Sequence, residues 1–371
     1  MKRLITIVLL TLTLAASAQE KDKAAIEIPQ WIRNIKISGY GTLQYQAEDK
    51  ESNRHNEFNL RLIRLLADGK IGDFDWRIQM EGSSNAGPGN PTVRLLDLYG
   101  EWVRHKELRI KVGQFKRAFS FENPTNPVTQ GWYSYALPIS NLVGGGDRTG
   151  EKSASGRDIG IQIQGDLFPI ADGRRLLHYQ IGVYNGEGIN QKDKDNKKDI
   201  IGGLWVMPFD GFRIGVFGWT GTRGDMIVGT HSDANGNTVN ELASIRKNRY
   251  AFSAEYDKDE YTFRAEYIHS QGWGSGKAND NNVNYSLGDK ADGWYVFGIV
   301  PVVKSKLHAK ARYNVYRDDK TWSHMKSMYE IGLNYFFNKR LQINAEYARV
   351  NERRLEKSSY NFFDVQLSFR F

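Results

Sequence analysis

The sequence predicts an all-β chain that closes into a transmembrane antiparallel barrel of about sixteen strands. Three observations carry that expectation. In the last eleven residues Phe363, Val365, Leu367, Phe369 and Phe371 fall on one face, while Asp364, Gln366, Ser368 and Arg370 fall on the other, with Phe362 the one exception. This is the period of two of a strand, and an outer-membrane barrel needs it, with one face to lipid and the other to a watery lumen. At the other end, Met1-Lys2-Arg3 precedes the apolar run Leu4–Leu14 and then Ala16-Ser17-Ala18. Positive charge, a short hydrophobic core and an A-x-A site make a secretory signal peptide, so residues 1–18 are expected to leave and 19–371 to form the barrel. Thirdly, the chain is hydrophilic on average, with a mean hydropathy of −0.57, yet holds 18 Phe, 19 Tyr and 9 Trp. Beyond the leader no stretch approaches the ~18 apolar residues of a membrane helix. Strands reconcile the two, because only every second residue meets lipid.

Taken in order, strands are expected at Ile35–Gln46, Glu57–Gly69, Phe74–Glu81, Leu96–Arg104, Leu108–Lys116, Asp158–Phe168, Leu177–Asn185 and Ile200–Pro208. They continue at Phe212–Trp219, Arg249–Tyr256, Tyr261–Ile268, Gly293–Val303, Leu307–Tyr316, Met328–Phe337, Leu341–Val350 and the terminal segment. Gly, Asn, Asp and Lys punctuate the junctions, as turns require. Short connections near Gly69–Phe74, His105–Glu107, Asp210–Gly211, Asp257–Glu260 and Asn338–Lys339 alternate with long ones, among them 82–92, 117–157, 186–199, 220–248 and 271–292. Short periplasmic turns and long external loops have that layout. The least regular strand is Glu57–Gly69, where Arg64 breaks the alternation, and a bulge is expected there.

The connection 117–157 is long enough to be functional. It carries Pro124, Pro127 and Pro138, the aromatics Trp132, Tyr133 and Tyr135, and a Gly-rich segment at 144–150. Its aromatics call for packing, and the barrel interior is the place for it. Folded inward, it would narrow the pore and bring Lys116, Arg117, Arg148, Lys152 and Arg157 to a constriction, with Arg109 and Lys111 on the adjoining strand. Alternation puts as many bases inward (Arg61, Arg77, Arg109, Lys111, Arg213, Arg249, Arg264, Lys310, Arg312, Arg370) as acids (Asp75, Glu81, Asp97, Glu101, Asp166, Glu255, Glu266, Glu330, Glu346, Asp364). Selectivity would therefore come from depth, since charge matters most at the narrowest point.

Other chemistries find little support. There is no Cys, hence no disulfide, thiolate metal site or cysteine nucleophile. Gly145–Ser153 fails the phosphate-loop spacing because Glu151 follows Gly150, and no G-x-S-x-G or H-E-x-x-H appears. His178 and His308 would face the lumen, where polar wall networks are their expected role. Asp193, Asp195 and Asp199 lack the Gly of a calcium loop and stand among four lysines. The formal charge of +8 points to anionic solutes or surfaces, and export makes nucleic acid the poorest partner.

The segments G-Q-F-K-R-A-F-S-F-E (113–122), G-R-D-I-G-I-Q-I-Q-G (156–165), Y-Q-I-G-V-Y-N-G-E-G (179–188) and D-x-D-N-x-K-D (193–199), followed by Pro208, occur in that order. They resemble the phosphate-selective porin O and P family. The resemblance implies a sixteen-stranded outer-membrane barrel, a third loop folded into the lumen, a homotrimer, and passive uptake of phosphate or other anions without a cofactor or enzymatic activity. It also implies that Lys116, in the G-Q-F-K block, presents its amine toward the pore. The alternatives are a porin for organic anions or oligosaccharides and, from another class, a barrel enzyme or adhesin.

Overall fold

The computed structural model describes residues 34–83, 92–144, 147–151, 155–275 and 281–371. The expected signal peptide and Lys152 lie outside them. The unit Lys36–Phe371 contains the strands β1 (Lys36–Glu48), β2 (His55–Ile71), β3 (Phe74–Ser83), β4 (Thr92–Trp102), β5 (Arg109–Lys116), β6 (Arg157–Pro169), β7 (Arg175–Tyr184), β8 (Asp199–Val206) and β9 (Phe212–Thr220). After β10 (Thr222–Ser232) and β11 (Thr238–Arg246) come β12 (Asn248–Lys258), β13 (Tyr261–Gln271), β14 (Lys290–Val303), β15 (Leu307–Arg317), β16 (Lys326–Asn338), β17 (Leu341–Glu352) and β18 (Ser359–Arg370). Sixteen of these close into an antiparallel barrel, each paired with its neighbour, β9 with β12 and β18 back onto β1. Closure leaves no strand edge, the condition for backbone to cross lipid. β10 and β11 form a separate two-stranded sheet within the long 220–248 connection, a hairpin the alternation did not announce.

The terminal strand does what its period requires. Tyr360, Phe362, Asp364, Gln366 and Ser368 are buried toward the lumen, whereas Phe363, Phe369 and Phe371 are exposed on the outer wall. Its seam with β1 runs from Tyr40 opposite Arg370 to Glu48 opposite Phe362. Gly41 leaves room for the Phe369 ring, which a Cβ there would meet at 2.6 Å.

The expected bulge in β2 exists, three residues before Arg64. Thr42 pairs Leu62 and Leu43 pairs Leu60, leaving Arg61 as the extra residue. One inserted residue reverses the phase of everything beyond it. Arg64 and Leu66 therefore line the interior, while Ile63 and Leu65 stand exposed.

Candidate functional site

The described residues of the connection 117–156 pack inside the ring of strands, where inward side chains of β12–β18 hold them. An irregular segment cannot pair its own backbone groups, and buried ones must find partners. The barrel wall supplies them. Glu266 accepts from the N–H groups of Phe121 and Glu122, both at 2.9 Å. Glu346 accepts from Tyr133 N at 2.7 Å and Asn314 from Leu137 N at 3.1 Å. In the other direction Lys310 donates to Gly131 O, Arg312 to Ser134 O and Gln342 to Val128 O.

Aromatic contacts complete the docking. Trp132 is 1 % exposed, its ring 4.8 Å from the Lys310 amine and 4.4 Å from the Arg312 guanidinium. The Tyr133 ring packs against Phe362 with centroids 4.8 Å apart and planes tilted by 38°, and Phe362 is the residue whose parity was the exception in the terminal strand. The helical turn Leu137–Ile139, continued by Ser140–Gly144, buries Ile139, Leu142 and Val143 in the same core as Ile268, Tyr295 and Phe297.

The two ends of the loop meet in a buried ion cluster around Trp219. Arg117 contacts Glu151 at 2.5 Å and Asp158 at 3.8 Å, Lys247 contacts Glu151 and Asp199, and Arg249 grips Asp147 with two nitrogens at 2.6 and 2.9 Å. Arg117 and Arg249 also lie 4.4 and 4.3 Å from the Trp219 ring. Burial alone would raise the Asp147 carboxyl, but Arg249 and Arg117 beside it hold it well below the usual range. Arg117 and Lys247 do the same for Glu151.

On the opposite side, between the loop and β1–β9, a cavity of about 460 Å³ remains. Its charged border comprises Arg64, Arg77, Arg109, Lys111, Lys116, Arg117, Arg157 and Arg213 against the single acid Asp97. The missing carboxylates stand behind the bases: Arg64 pairs Glu81, Arg77 pairs Asp68, Arg109 pairs Asp166, Lys111 pairs Glu101 and Arg213 pairs Glu255, at 2.6–3.1 Å. Long basic stems reach past short acidic ones, so a wall with equal numbers of each sign turns its positive ends to the opening.

Of the expected constriction residues, Lys116, Arg117, Arg157, Arg109 and Lys111 thus share one cavity. Arg148 does not join them; it donates to the carbonyls of Gly272, Leu287, Gly288 and Asp318, fastening the loop to other connections. Lys116 borders the opening, but its amine already donates to Asn123 O, Thr125 O and the Tyr135 hydroxyl at 2.6–2.8 Å. Arg64, Arg77 and Arg213 were not singled out as site residues. Arg64 signalled itself only by standing out of phase, and the other two sat in a charge list that balanced.

The family model described as phosphate-selective porin O and P matches residues 38–199, from β1 to the start of β8. Over that stretch, which is less than half of its length, the chain is similar to that family. No curated protein matches it by sequence. Among solved structures, Salmonella typhi OmpF in complex with daunomycin shares 13 % identity, a TM-score of 0.61, and coverage of 91 % of this chain and 97 % of that one. The anion-selective porin from Comamonas acidovorans matches with 12 % identity, TM-score 0.60, and 91 % and 99 % coverage. The outer membrane channel DcaP of Acinetobacter baumannii matches with 10 % identity, TM-score 0.58, and 91 % and 97 % coverage. Identities this low speak for the fold. The chain has the fold of outer-membrane porins, and His178 and His308 sit in wall networks with Asp166 and Glu260.

Proposed function

We propose that this porin passes small anions in preference to cations, through the opening between the docked loop and β1–β9. The observation that carries the reading is the border of that opening, eight bases to one acid. A solute there meets guanidinium and ammonium groups whose counter-charges are set back in the wall, and in a narrow, low-dielectric passage such an offset is felt strongly. Arg109 and Lys111 act at the border, with Arg64, Arg77 and Arg213 as further members, while Arg157 is held there by Asp97, the one acid of the border. Lys116, lacking a free donor, adds its field and pins the loop. Arg117 and Arg148 keep the loop in place. The proposal extends to a homotrimer, exported through cleavage after Ala18.

Reversal potential in a KCl gradient across a planar bilayer tests it. Chloride-side reversal is expected, with millimolar phosphate reducing the chloride current. Arg77→Glu combined with Arg213→Glu is expected to lower the chloride-to-potassium permeability ratio severalfold. A cation-side potential in the wild-type channel would overturn the reading. Native mass measurement in mild detergent checks the trimer.

A further inference from the structure

The outer wall carries an arginine on a face built for lipid. Arg349 on β17 lies between Tyr329 on one neighbouring strand and Asn361 on the other, in the outward phase, and it is exposed. It stands eight residues beyond Leu341, where β17 begins after the short Asn338–Lys339 turn. At ~3.3 Å per residue and a tilt of about 40°, that stretch climbs roughly 20 Å. Arg349 therefore sits near the external edge of an apolar band about 25 Å tall. The rings of Trp294, Tyr313 and Tyr329 form a contiguous patch beside it, with centroids 5.2 and 4.5 Å apart, as in the aromatic girdle of a membrane interface.

The guanidinium has donors to spare. It donates to Asn361 Oδ1 at 2.9 Å, an oxygen that also accepts from the Tyr347 hydroxyl. The Asn361 amide in turn donates to Asp49 Oδ2 at 2.7 Å, so an amide stands where an inward arginine has a carboxylate. Arg64, Arg249 and Arg312 each hold an acid directly at 2.6 Å. A guanidinium offers five N–H donors, and a charge on the lipid face is costly unless it reaches headgroups or an opposite charge.

Below Arg349 the wall is hollow. One row nearer the short turns, Phe263, Gly298, Ala311 and Ile331 are successive cross-strand partners. Gly298 and Ala311 floor an apolar groove of about 530 Å³ between the Phe263 and Ile331 side chains, with Tyr313, Tyr329 and Arg349 at its upper end. A groove of hydrocarbon character that ends at a base is complementary to a molecule with an acyl tail and an anionic head.

We infer that this groove and Arg349 hold one phosphate-bearing anionic lipid of the external leaflet. An acyl chain lies over Gly298 and Ala311, and the headgroup phosphate accepts from the guanidinium, whose planar fork suits its oxygens. The inference is independent of the anion reading above, since Arg349 is on the far side of the wall from the opening.

Native mass measurement in mild detergent, with phosphatidylglycerol or phosphatidylcholine of identical chains added, reads the bound lipid. The wild-type protein is expected to retain phosphatidylglycerol at concentrations about five- to tenfold lower than phosphatidylcholine. Arg349→Gln, which keeps a donor for Asn361, is expected to abolish the difference by weakening phosphatidylglycerol alone. Ala311→Trp, which fills the groove, is expected to weaken both lipids with Arg349 intact. Equal retention of the two lipids by the wild-type protein would overturn the inference, as would a preference that survives Arg349→Gln. A fall in the mass of the assembly in Arg349→Gln, with lipid retention unchanged, would overturn it as well and give the face to a second copy of the chain. The chloride-to-potassium permeability ratio of Arg349→Gln is expected to equal that of the wild type; a shifted ratio would put the guanidinium in the conduction path instead. The wild-type comparison of the two lipids decides the matter even where a variant does not fold.

Discussion

The two halves of this barrel wall carry the same kinds of side chain and use them for different ends. On β12–β18 many of the inward acids, amides and bases are spent on the loop, in bonds to its backbone such as Glu266 to Phe121 and Glu122 and Lys310 to Gly131. On β1–β9 the inward ions pair across neighbouring strands, and their basic ends border open space. One half is a socket and the other a channel wall. Charge counts alone do not separate them; the presence of a docked segment does.

The comparison breaks most completely if the socket lets go. Arg249 and Asp147 have side-chain exposures of 0 % and 1 %, and removing one partner of such a pair leaves a buried uncompensated charge, at a cost of about 3–5 kcal/mol. Arg249 also holds the Leu142 carbonyl. Arg249→Ala is therefore expected to free the loop, with single-channel conductance rising severalfold and the loop becoming open to protease. Conductance unchanged from wild type would mean that the aromatic contacts of Trp132 and Tyr133 suffice without the ion cluster.

Matched charge removals on the two halves sharpen the contrast. Lys310 is fully buried against Glu346, so Lys310→Met is expected to disturb docking, seen as current noise, while the reversal potential stays within a few millivolts of wild type. The Arg213 side chain is 29 % exposed on the open side, and Arg213→Met is expected to move the reversal potential toward that of potassium with quiet current. If both variants moved it equally, the division into socket and channel wall would be wrong.

Much of this was legible in advance, and the division itself was not. Period-two alternation located all sixteen barrel strands because each buries one face in lipid, a local signal repeated along the chain. Arg64 betrayed the bulge at Arg61, and the odd parity of Phe362 is accounted for by Tyr133. The β10–β11 hairpin escaped because neither face is fully covered and its register slips twice, so the alternation is lost. The partition of charge escaped for a different reason. It depends on pairs distant in sequence, as in Glu346 with Tyr133, 213 positions apart, and on how far each side chain projects, which parity does not encode.

The smallest effect concerns pH, and it again separates socket from wall. Glu122 lies in the loop with no exposure, its carboxylate beside Ala136 N at 3.2 Å and the Arg312 guanidinium at 3.6 Å. Burial pushes its carboxyl up to about 7, Arg312 and Arg264 opposing without prevailing. A carboxyl that titrates higher docked than free binds its proton more tightly in the docked state. The docked loop then holds more protons than the released one between the ordinary value near 4.5 and about 7, so docking weakens as pH rises through that window. The full shift corresponds to about 3 kcal/mol, an upper figure because a released loop remains partly shielded within the lumen. Open-channel noise is thus expected to grow from pH 5 to pH 7.5, and Glu122→Gln, neutral throughout and able to accept from the same N–H, is expected to flatten the rise. Noise that grows identically in the Gln variant would place the titrating group elsewhere, and the acids Asp147 and Glu151, held low by their partners, could not supply it in that range.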